Sequence, residues 1–215
     1  MYSLPYYTES DQELVLAFMR QHPFVFLAGS DADSKPVASQ VPVFIDEREG
    51  KLFLSGHIMR KTDHHTAFIH NPHVLAVFTG PHTYVSASLY TEQQTASTWN
   101  YMSVHVKGIL SFTGEQELLD ILKRTTNHFE NDPHSPSLFE KLPADYVQKM
   151  VGAIVAFEIE VLSIDNVFKL SQNRDEKSYH SIINKLEQSD EDSRQIAEEM
   201  KKRTSQLFKA EANRS

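Results

Sequence analysis

Cysteine is absent from all 215 residues of this chain. The absence excludes disulfide bonds, thiolate catalysis, and zinc or iron–sulfur sites that depend on cysteine ligands. Long apolar runs are absent too, because no stretch approaches the ~20 residues that a membrane-spanning helix needs. The first residues, Met1–Tyr7, lack the basic start and the apolar run of a signal peptide. We therefore expect a cytoplasmic protein.

Positive charge is also scarce. The chain has 21 Lys and Arg residues against 29 Asp and Glu residues, so its net charge is −8. A surface that binds nucleic acid over the whole fold is not expected, because contact with phosphates needs dense positive charge. The short basic run Met200–Arg203 follows the acidic run Ser189–Glu199. This mixture is typical of a solvated helix.

What the chain does contain is a series of short apolar segments separated by turn residues. A hairpin turn is predicted at Glu47–Gly50, and later strands at His73–Thr79, His82–Ser88, Ala153–Ile164 and Val167–Leu170. The connections are too short for repeated parallel crossovers. We therefore expect an α+β fold in which an antiparallel β-barrel carries peripheral helices and a helical C-terminus.

The N-terminal segment predicts a helix. Ser10–Glu13 has the pattern of a capping box, and Leu14, Phe18 and Met19 follow at the spacing of one apolar face. Pro23 is expected to end this helix.

The first candidate site is the segment Gly56–Thr62. The chain has neither a Gly-x-Gly-x-x-Gly motif nor a P-loop, so a nucleotide site here must be of another kind. A strand ends near Gly56, and Arg60, Lys61 and Thr62 lie where a helix should begin, which favours phosphate binding. Glycine at position 56 would let a ligand approach the backbone. The same residues are equally typical of a surface Arg–Lys pair at a strand end.

Histidines are concentrated between His57 and His82, where six of them occur. Their spacing does not suit a metal site, because no His-Glu-x-x-His motif is present and no carboxylate recurs at ligand spacing. We expect no metal. His57 and His82 are the only candidates for acid or base chemistry.

A third candidate is the hydroxyl-rich segment that precedes the only tryptophan, Trp99. If Ser86, Ser88 and Tyr90 occupy alternating positions of one strand, they share a face. A hydroxyl face with an aromatic edge can bond to a heteroaromatic ring and stack on it. Serine and tyrosine are also ordinary on an exposed strand face. A hydrolase is not favoured, because no Gly-x-Ser-x-Gly motif is present.

The last candidate is the polar run Phe168–Arg174, which closes a strand and precedes a helix. Ser171 or Asn173 could cap that helix or contact a ligand, and the residues alone do not distinguish the two.

Taken together, these motifs resemble the PaiB family of FMN-binding transcriptional regulators. The matching stretches come in the expected order and extend to about Leu186; they are Pro36–Pro42, Gly56–Arg60, Gly80–Ser86, Thr98–Tyr101 with Val104-His105, Ile154–Glu160 and Lys169–Arg174. The chain departs from the family pattern just after Arg60, where Lys61–His65 replaces a more usual Ala-Asn-Pro run.

The resemblance implies a split-barrel flavin-binding fold over residues 1–186, with residues 187–215 as a charged helical extension. It also implies a homodimer with FMN at the subunit interface. By this resemblance Arg60, Lys61 and Thr62 hold the FMN phosphate. The other expected cofactor contacts are Ser39, Gln40 and Val41 along the isoalloxazine ring, together with His57 and Ser88, and Trp99, Asn100, Ser171 and Gln172 from the partner subunit.

Three functions remain open from the sequence. The first is a flavin-dependent regulator of transcription that acts through a ligand or a protein partner, with direct DNA binding undecided. The second is an FMN-dependent oxidoreductase that uses NAD(P)H or a small-molecule substrate, because a flavin supplies its own redox chemistry. The third is a barrel that has lost its flavin and binds another ligand, such as haem.

Overall fold

The structure is a computed structural model that describes residues 4–92 and 94–208. Within these residues the chain forms seven strands and six α-helices. The strands are β1 (Phe24–Ser30), β2 (Pro36–Pro42), β3 (Phe44–Arg48), β4 (Lys51–Met59), β5 (His73–Val85), β6 (Thr98–Phe112) and β7 (Ile154–Lys169). The helices are α1 (Gln12–Gln21), α2 (Asp63–His70), α3 (Glu115–Glu130), α4 (Ala144–Ala153), α5 (Glu176–Leu186) and α6 (Glu191–Phe208).

The strands form one sheet in the order β2-β1-β5-β6-β7-β4-β3. The pairings β1–β2, β1–β5, β3–β4 and β4–β7 are antiparallel. The predicted hairpin is present, since Arg48 pairs with Lys51 across a turn whose residues Glu49 and Gly50 both have positive φ.

The chain divides into two compact units. Unit 1 takes the chain up to His22, Thr79–Val104 and everything from Asp165 onward, and unit 2 takes Pro23–Phe78 and His105–Ile164. The predicted boundary at residue 186 falls between α5 and α6, which pack against each other within unit 1.

Unit 2 has its core under helices α3 and α4. Leu118, Ile121 and Leu122 of α3 pack with Val151 of α4 and Ala156 of β7. The spacing of apolar residues in the sequence predicts a helix with Leu118, Leu119, Ile121 and Leu122 on its buried side. The structure confirms three of them, and Leu119 is only partly buried. Helix α2 packs against β1 and β2 within unit 2.

The core of unit 1 joins α1, the end of β7 and the two last helices. The Phe18 ring of α1 lies 5.2 Å from the Phe168 ring of β7. Tyr179 of α5 is fully buried, and its hydroxyl donates to the carbonyl of Met200 in α6 at 2.9 Å. Burial raises the pKa of Tyr179 above the ordinary range for a phenol, so its hydroxyl stays protonated.

Helix α1 begins one residue later than the capping-box pattern indicated. Its N-cap is Asp11, whose carboxylate accepts from the backbone N–H groups of Glu13 and Leu14, a contact that stabilises a helix by about 1 kcal/mol. Ser10 is not the cap. Leu14 is largely exposed, and Val15 and Leu16 are buried in its place with Phe18 and Met19.

Two predicted strand breaks are wrong. Strand β5 continues through Gly80 and Pro81. Glycine suits position 80 for packing, because a Cβ there would lie 2.5 Å from the Phe18 ring. Strand β7 continues through Asp165 and Asn166. The Asn166 amide exchanges two hydrogen bonds with the backbone of Glu9, at 2.7 and 3.0 Å, which pairs its polar group without ending the strand.

Among the described residues, the helices are all too short or too polar to cross a membrane.

Gly108 offers a test of the packing within unit 2. A Cβ at this position would lie 2.4 Å from Cγ2 of Ile159 and 2.5 Å from the carbonyl oxygen of Glu160. We expect Gly108→Ala to lower the free energy of unfolding by about 1–3 kcal/mol, because backbone must move to make room. The measurement is urea unfolding of the variant beside the wild type.

Gly152 in α4 is the matched control, because a Cβ there meets no atom within 4 Å. Gly152→Ala should be neutral or stabilising by up to about 1 kcal/mol, since alanine is the better helix former. Equal losses in both variants would contradict the proposed packing at Gly108.

Candidate functional site

The connection between β4 and α2 holds two adjacent cations, Arg60 and Lys61. The backbone N–H of Arg60 donates to the carbonyl of Ala153 at 2.9 Å, which fixes the end of β4 to the end of α4. Lys61 then adopts a left-handed conformation with φ of 64°. Such a conformation costs a residue other than glycine on the order of 1 kcal/mol.

The two cations are not neutralised by carboxylates. Both side chains are exposed, and in residues 4–92 and 94–208 neither Arg60 nor Lys61 forms an ion pair. By contrast, Lys51 of the same unit pairs with Glu160 at 2.6 Å. The end of β4 is therefore a local positive site in an acidic protein.

Thr62 caps helix α2. Its hydroxyl accepts from the backbone N–H of His65 at 3.3 Å and donates to the carbonyl of Met59 at 3.1 Å. The backbone N–H of His64, in the first turn of α2, donates to the Asp63 carboxylate at 2.8 Å. Because these amides already have protein acceptors, an anion at this point would be attracted chiefly by the two preceding side-chain cations.

Strand β2 brings the predicted ring-binding residues next to β4. Val41 is buried, Ser39 is half-buried and Gln40 is exposed. The two strands touch at Gly56, where a Cβ would lie 2.8 Å from the carbonyl oxygen of Pro42. Within unit 2 the structure thus brings β2 beside the strand that leads to the cations.

The sequence suggested that Gly56 lets a ligand approach the backbone, but no space for a ligand remains on the side where a Cβ would lie. That space is filled by the Pro42 carbonyl and by the Phe157 ring, whose Cζ would be 2.9 Å from a Cβ. The glycine is needed for packing between strands.

His57 lies on β4 opposite Ala156 of β7. Its side chain is half-buried, and burial lowers its pKa below that of a free histidine. The imidazole is therefore neutral near pH 7, so that one ring nitrogen can donate a hydrogen bond and the other can accept one.

A cavity of about 430 Å³ lies beside α2 in unit 2. Lys61 and Thr62 line it, but so do Asp31, Asp33 and Asp63, and Arg60 does not. Three carboxylates would repel a phosphate in this cavity. An anion at the two cations is therefore expected outside it, on the side of Arg60.

The predicted face of Ser86, Ser88 and Tyr90 does not exist, because β5 ends at Val85. Ala87–Leu89 forms a short 3₁₀ helix, and the Ser86 hydroxyl accepts from the N–H of Ser88 at 3.2 Å. A serine side chain that bonds to nearby backbone competes with strand formation. Ser88 ends up exposed and Tyr90 buried, so the two do not share a face.

Trp99 lies on the surface of unit 1 with 53% of its side chain exposed. Its ring is 6.0 Å from the rings of Tyr84 and His82. Ser88 and Trp99 both line a cavity of about 440 Å³ in this unit.

Asn100 and Ser171 contact each other inside unit 1. The Ser171 hydroxyl donates to the Asn100 side-chain oxygen at 3.0 Å, and both residues are buried. The Gln172 amide donates to the carbonyl of Phe168 at 2.5 Å and accepts from the N–H of Leu170 at 2.7 Å. These bonds fix the polar run after β7. Contact of these three residues with a cofactor stays a prediction.

The cap of α5 is neither Ser171 nor Asn173 but Asp175. Its carboxylate accepts from the N–H and hydroxyl of Ser178 and from the hydroxyl of Thr91. These hydrogen bonds, the Ser178 side chain first, lower the pKa of Asp175 to about 2.

Lys169 and Arg174 were not expected from the sequence to contact a ligand. The structure places both on the wall of a cavity of about 260 Å³ in unit 1, together with Asn100 and Ser171. Their place in the sequence could have indicated this, because the run Phe168–Arg174 contains two cations and no acid.

The predicted site residues therefore fall into separate groups. Ser39, Gln40, Val41, His57, Arg60, Lys61 and Thr62 belong to unit 2, and Ser88, Trp99, Asn100, Ser171 and Gln172 belong to unit 1. Within unit 1, Ser88 and Trp99 line one cavity while Asn100 and Ser171 line another.

Solved structures share the fold. The FAD and haem binding protein from Mycobacterium smegmatis aligns with a TM-score of 0.56 at 17% identity, covering 75% of this chain and 73% of its own. The flavocytochrome Anf3 from Azotobacter vinelandii aligns with a TM-score of 0.54 at 17% identity, covering 84% of this chain and 78% of its own. The predicted α+β fold, an antiparallel split barrel with peripheral helices, is confirmed.

Sequence comparisons extend the similarity beyond the fold. The Bacillus subtilis (strain 168) protein named protease synthase and sporulation protein PAI 2 is 29% identical over 93% of this chain and 96% of its own. Residues 1–163 match the family described as "Putative FMN-binding domain". Since that match covers most of the chain, this protein belongs to the FMN-binding domain family.

Proposed function

We propose that Arg60 and Lys61 hold the phosphate of FMN and that Ser39, Gln40 and Val41 line its ring system. The observation that carries the proposal is the pair of adjacent, exposed cations at the end of β4 without carboxylate partners in the described chain. Phosphate binding favours such a pair, because charge-assisted hydrogen bonds are about twice as strong as neutral ones.

The residues present fit FMN by chemistry as well as by family. Arg60 supplies a planar group that suits a phosphate, and Lys61 supplies a compact charge beside it. Strand β2 offers an exposed amide at Gln40 and a half-buried hydroxyl at Ser39, which are groups that bond to the polar edge of a heteroaromatic ring. Thr62 contributes by capping α2 and so fixing the turn that carries the cations.

FMN, when bound, supplies electron transfer through its ring system. The protein's part is to bind and orient it. The neutral imidazole of His57 can hold or pass a proton beside that ring, because burial keeps its pKa below the ordinary value.

The phosphate assignment can be tested by comparing FMN with riboflavin, which lacks the phosphate. We expect the double variant Arg60→Ala, Lys61→Ala to bind FMN about a hundredfold or more weakly, because each charge-assisted hydrogen bond contributes about 1.5–3 kcal/mol. Its affinity for riboflavin should change little. Flavin fluorescence titration measures both constants.

Lys149→Ala is the matched control, since Lys149 is another exposed cation of unit 2. It should leave the preference for FMN over riboflavin unchanged. If the double variant retains that preference, the phosphate lies elsewhere and the assignment is wrong.

We further propose that the protein is a homodimer. Phe24 and Phe26 on β1 are 59% and 45% exposed, and large apolar side chains that lie together on a surface mark an interface. In the antiparallel register Phe26 lies directly opposite Gln40, so both project from the same face. A second subunit on this face would cover the phenylalanines next to the proposed flavin strand, and its Trp99, Asn100, Ser171 and Gln172 remain the predicted contacts from the partner.

The dimer can be tested with Phe24→Ser, which removes an exposed apolar side chain from this face. We expect a shift toward monomer in sedimentation velocity and weaker FMN binding, because the cofactor is expected between subunits. Phe129→Ser is the matched control, since Phe129 is 54% exposed on α3. A wild-type protein that sediments as a monomer would contradict the proposal.

For the physiological role, we propose a flavin-dependent regulator in the cytoplasm that acts through a ligand or a protein partner. The support is the Bacillus subtilis relative, which is named protease synthase and sporulation protein PAI 2. Direct DNA contact is disfavoured by the net charge of −8 and by the pairing of cations with carboxylates, as in Arg203 with Glu9 and Glu199.

An FMN-dependent oxidoreductase is the second candidate. The half-buried neutral His57 favours it, because such a group can serve as a proton donor or acceptor in catalysis. This activity would need a small-molecule donor that reduces the bound flavin and an acceptor that takes the electrons from it.

One pair of measurements separates these roles. We expect the FMN-loaded protein to give no gel shift with promoter DNA even at low salt, because electrostatic contact is strongest there. We also expect NADH and NADPH to leave the flavin absorbance unchanged. A salt-sensitive shift would establish direct DNA binding, and bleaching by either nucleotide would favour the oxidoreductase.

A further inference from the structure

The start of helix α2 is closed by two reciprocal hydrogen bonds. The Thr62 hydroxyl accepts from the backbone N–H of His65 at 3.3 Å, and Nδ1 of the His65 ring accepts from the backbone N–H of Lys61, also at 3.3 Å. The arrangement has the form of a capping box, in which a side chain of the first helical turn reaches back to the backbone at the start of the helix. His65 thereby holds the residue that precedes the cap.

Lys61 needs a contact of this kind. Its φ of 64° lies in the left-handed region, which is unfavourable for a residue with a Cβ and persists only where surrounding contacts hold it. One residue earlier, the N–H of Arg60 is fixed to the carbonyl of Ala153 at 2.9 Å. The bond to His65 fixes the N–H of Lys61 itself, so the two bonds together restrain the turn that carries both cations.

The His65 ring is suited to accept this bond. It lies 4.9 Å from the Phe112 ring of β6, and this packing restricts its orientation. The pKa of His65 is lowered, first by burial and then by the positive charges of Arg60 and His64. A neutral imidazole keeps a lone pair on one ring nitrogen. The acceptor for the N–H of Lys61 is therefore available near pH 7.

The backbone conformation of Lys61 decides which charges its ammonium meets. On one side is the cavity beside α2, whose wall Lys61 shares with three aspartates, Asp31, Asp33 and Asp63. In the described part of the chain none of the three forms an ion pair with Lys61. A different φ would redirect the side chain, and an ammonium that moved toward these acids would attract a phosphate beside Arg60 less strongly.

We propose that His65 is a positioning residue of the flavin phosphate site: its hydrogen bond to the backbone of Lys61 keeps the Lys61 ammonium available, together with Arg60, for the phosphate. The inference rests on the proposed FMN assignment and adds a residue to it. His65 acts through Lys61, so a contact of its own with the phosphate is not required.

The test compares two replacements of His65 that separate hydrogen bonding from packing. His65→Leu keeps an apolar side chain near Phe112 but removes the acceptor, whereas His65→Asn keeps an acceptor oxygen and loses the ring. We expect His65→Leu to bind FMN about three- to tenfold more weakly, which is the factor that one net hydrogen bond contributes. Its affinity for riboflavin should not change. His65→Asn should retain most of the affinity for FMN, although a purely structural role would make it the more damaging change.

The same replacement in a Lys61→Ala background shows whether His65 acts through Lys61. Lys61→Ala removes the ammonium and keeps the backbone N–H, so that His65 has no charge left to position. We expect His65→Leu to cause no further loss of FMN affinity in this background, because the effects of residues that act together are not additive. Flavin fluorescence titration with FMN and riboflavin measures every affinity in the cycle.

His70→Leu is the matched control, because His70 is an exposed histidine of the same helix whose Nδ1 bonds to the carbonyl of Thr66. It should bind FMN as the wild type does. Three results would overturn the proposal: wild-type FMN affinity in His65→Leu, an equal loss in His65→Asn, or a loss that persists in full in the Lys61→Ala background.

The cycle also separates failure of this inference from failure of the FMN assignment. If Lys61→Ala alone binds FMN as tightly as the wild type, Lys61 does not hold the phosphate, and the role of His65 is rejected with it. If Lys61→Ala weakens FMN binding and His65→Leu does not, the phosphate assignment stands and only the role of His65 is rejected.

Discussion

At Gly56, strand β4 passes so close to strand β2 that only a hydrogen atom fits between its Cα and the carbonyl oxygen of Pro42. This contact fixes where the proposed flavin residues of unit 2 lie. It holds Ser39–Val41 beside β4, and β4 then leads directly to Arg60 and Lys61. Packing between two strands, more than any single polar group, therefore determines whether the ring and phosphate contacts can be made together.

Local features of the structure were predictable because their causes are local. The hairpin between β3 and β4 follows from turn residues, and helix α3 follows from apolar residues at helical spacing. The cations at Arg60 and Lys61 were predictable for the same reason, since a strand end followed by a helix start is visible in a few residues. The family resemblance added the cofactor and the split form of the barrel, which spacing alone does not give.

Features that depend on distant residues were not predictable. Gly80 and Pro81 have the pattern of a strand break, but β5 continues through them. The glycine is explained by the Phe18 ring, which is distant in sequence and packs against it. Ser86 and Ser88 alternate as strand residues do, yet the Ser86 hydroxyl bonds to local backbone and turns the chain. The contact between Asn100 and Ser171 joins residues 71 positions apart, and no local pattern specifies it.

Charge in this protein has to be considered site by site. The net charge of −8 repels anions only weakly at a distance, because salt screens exposed charges beyond about 8 Å at physiological ionic strength. A cation beside a carboxylate, such as Lys51 beside Glu160, attracts an anion less strongly, because the negative charge of the acid offsets its own. Arg60 and Lys61 differ from Lys51 because they are adjacent to each other and neither pairs with a carboxylate in the described chain. An acidic protein can thus bind anionic groups selectively, since the few places where an anion is attracted stand out against a surface that otherwise repels it.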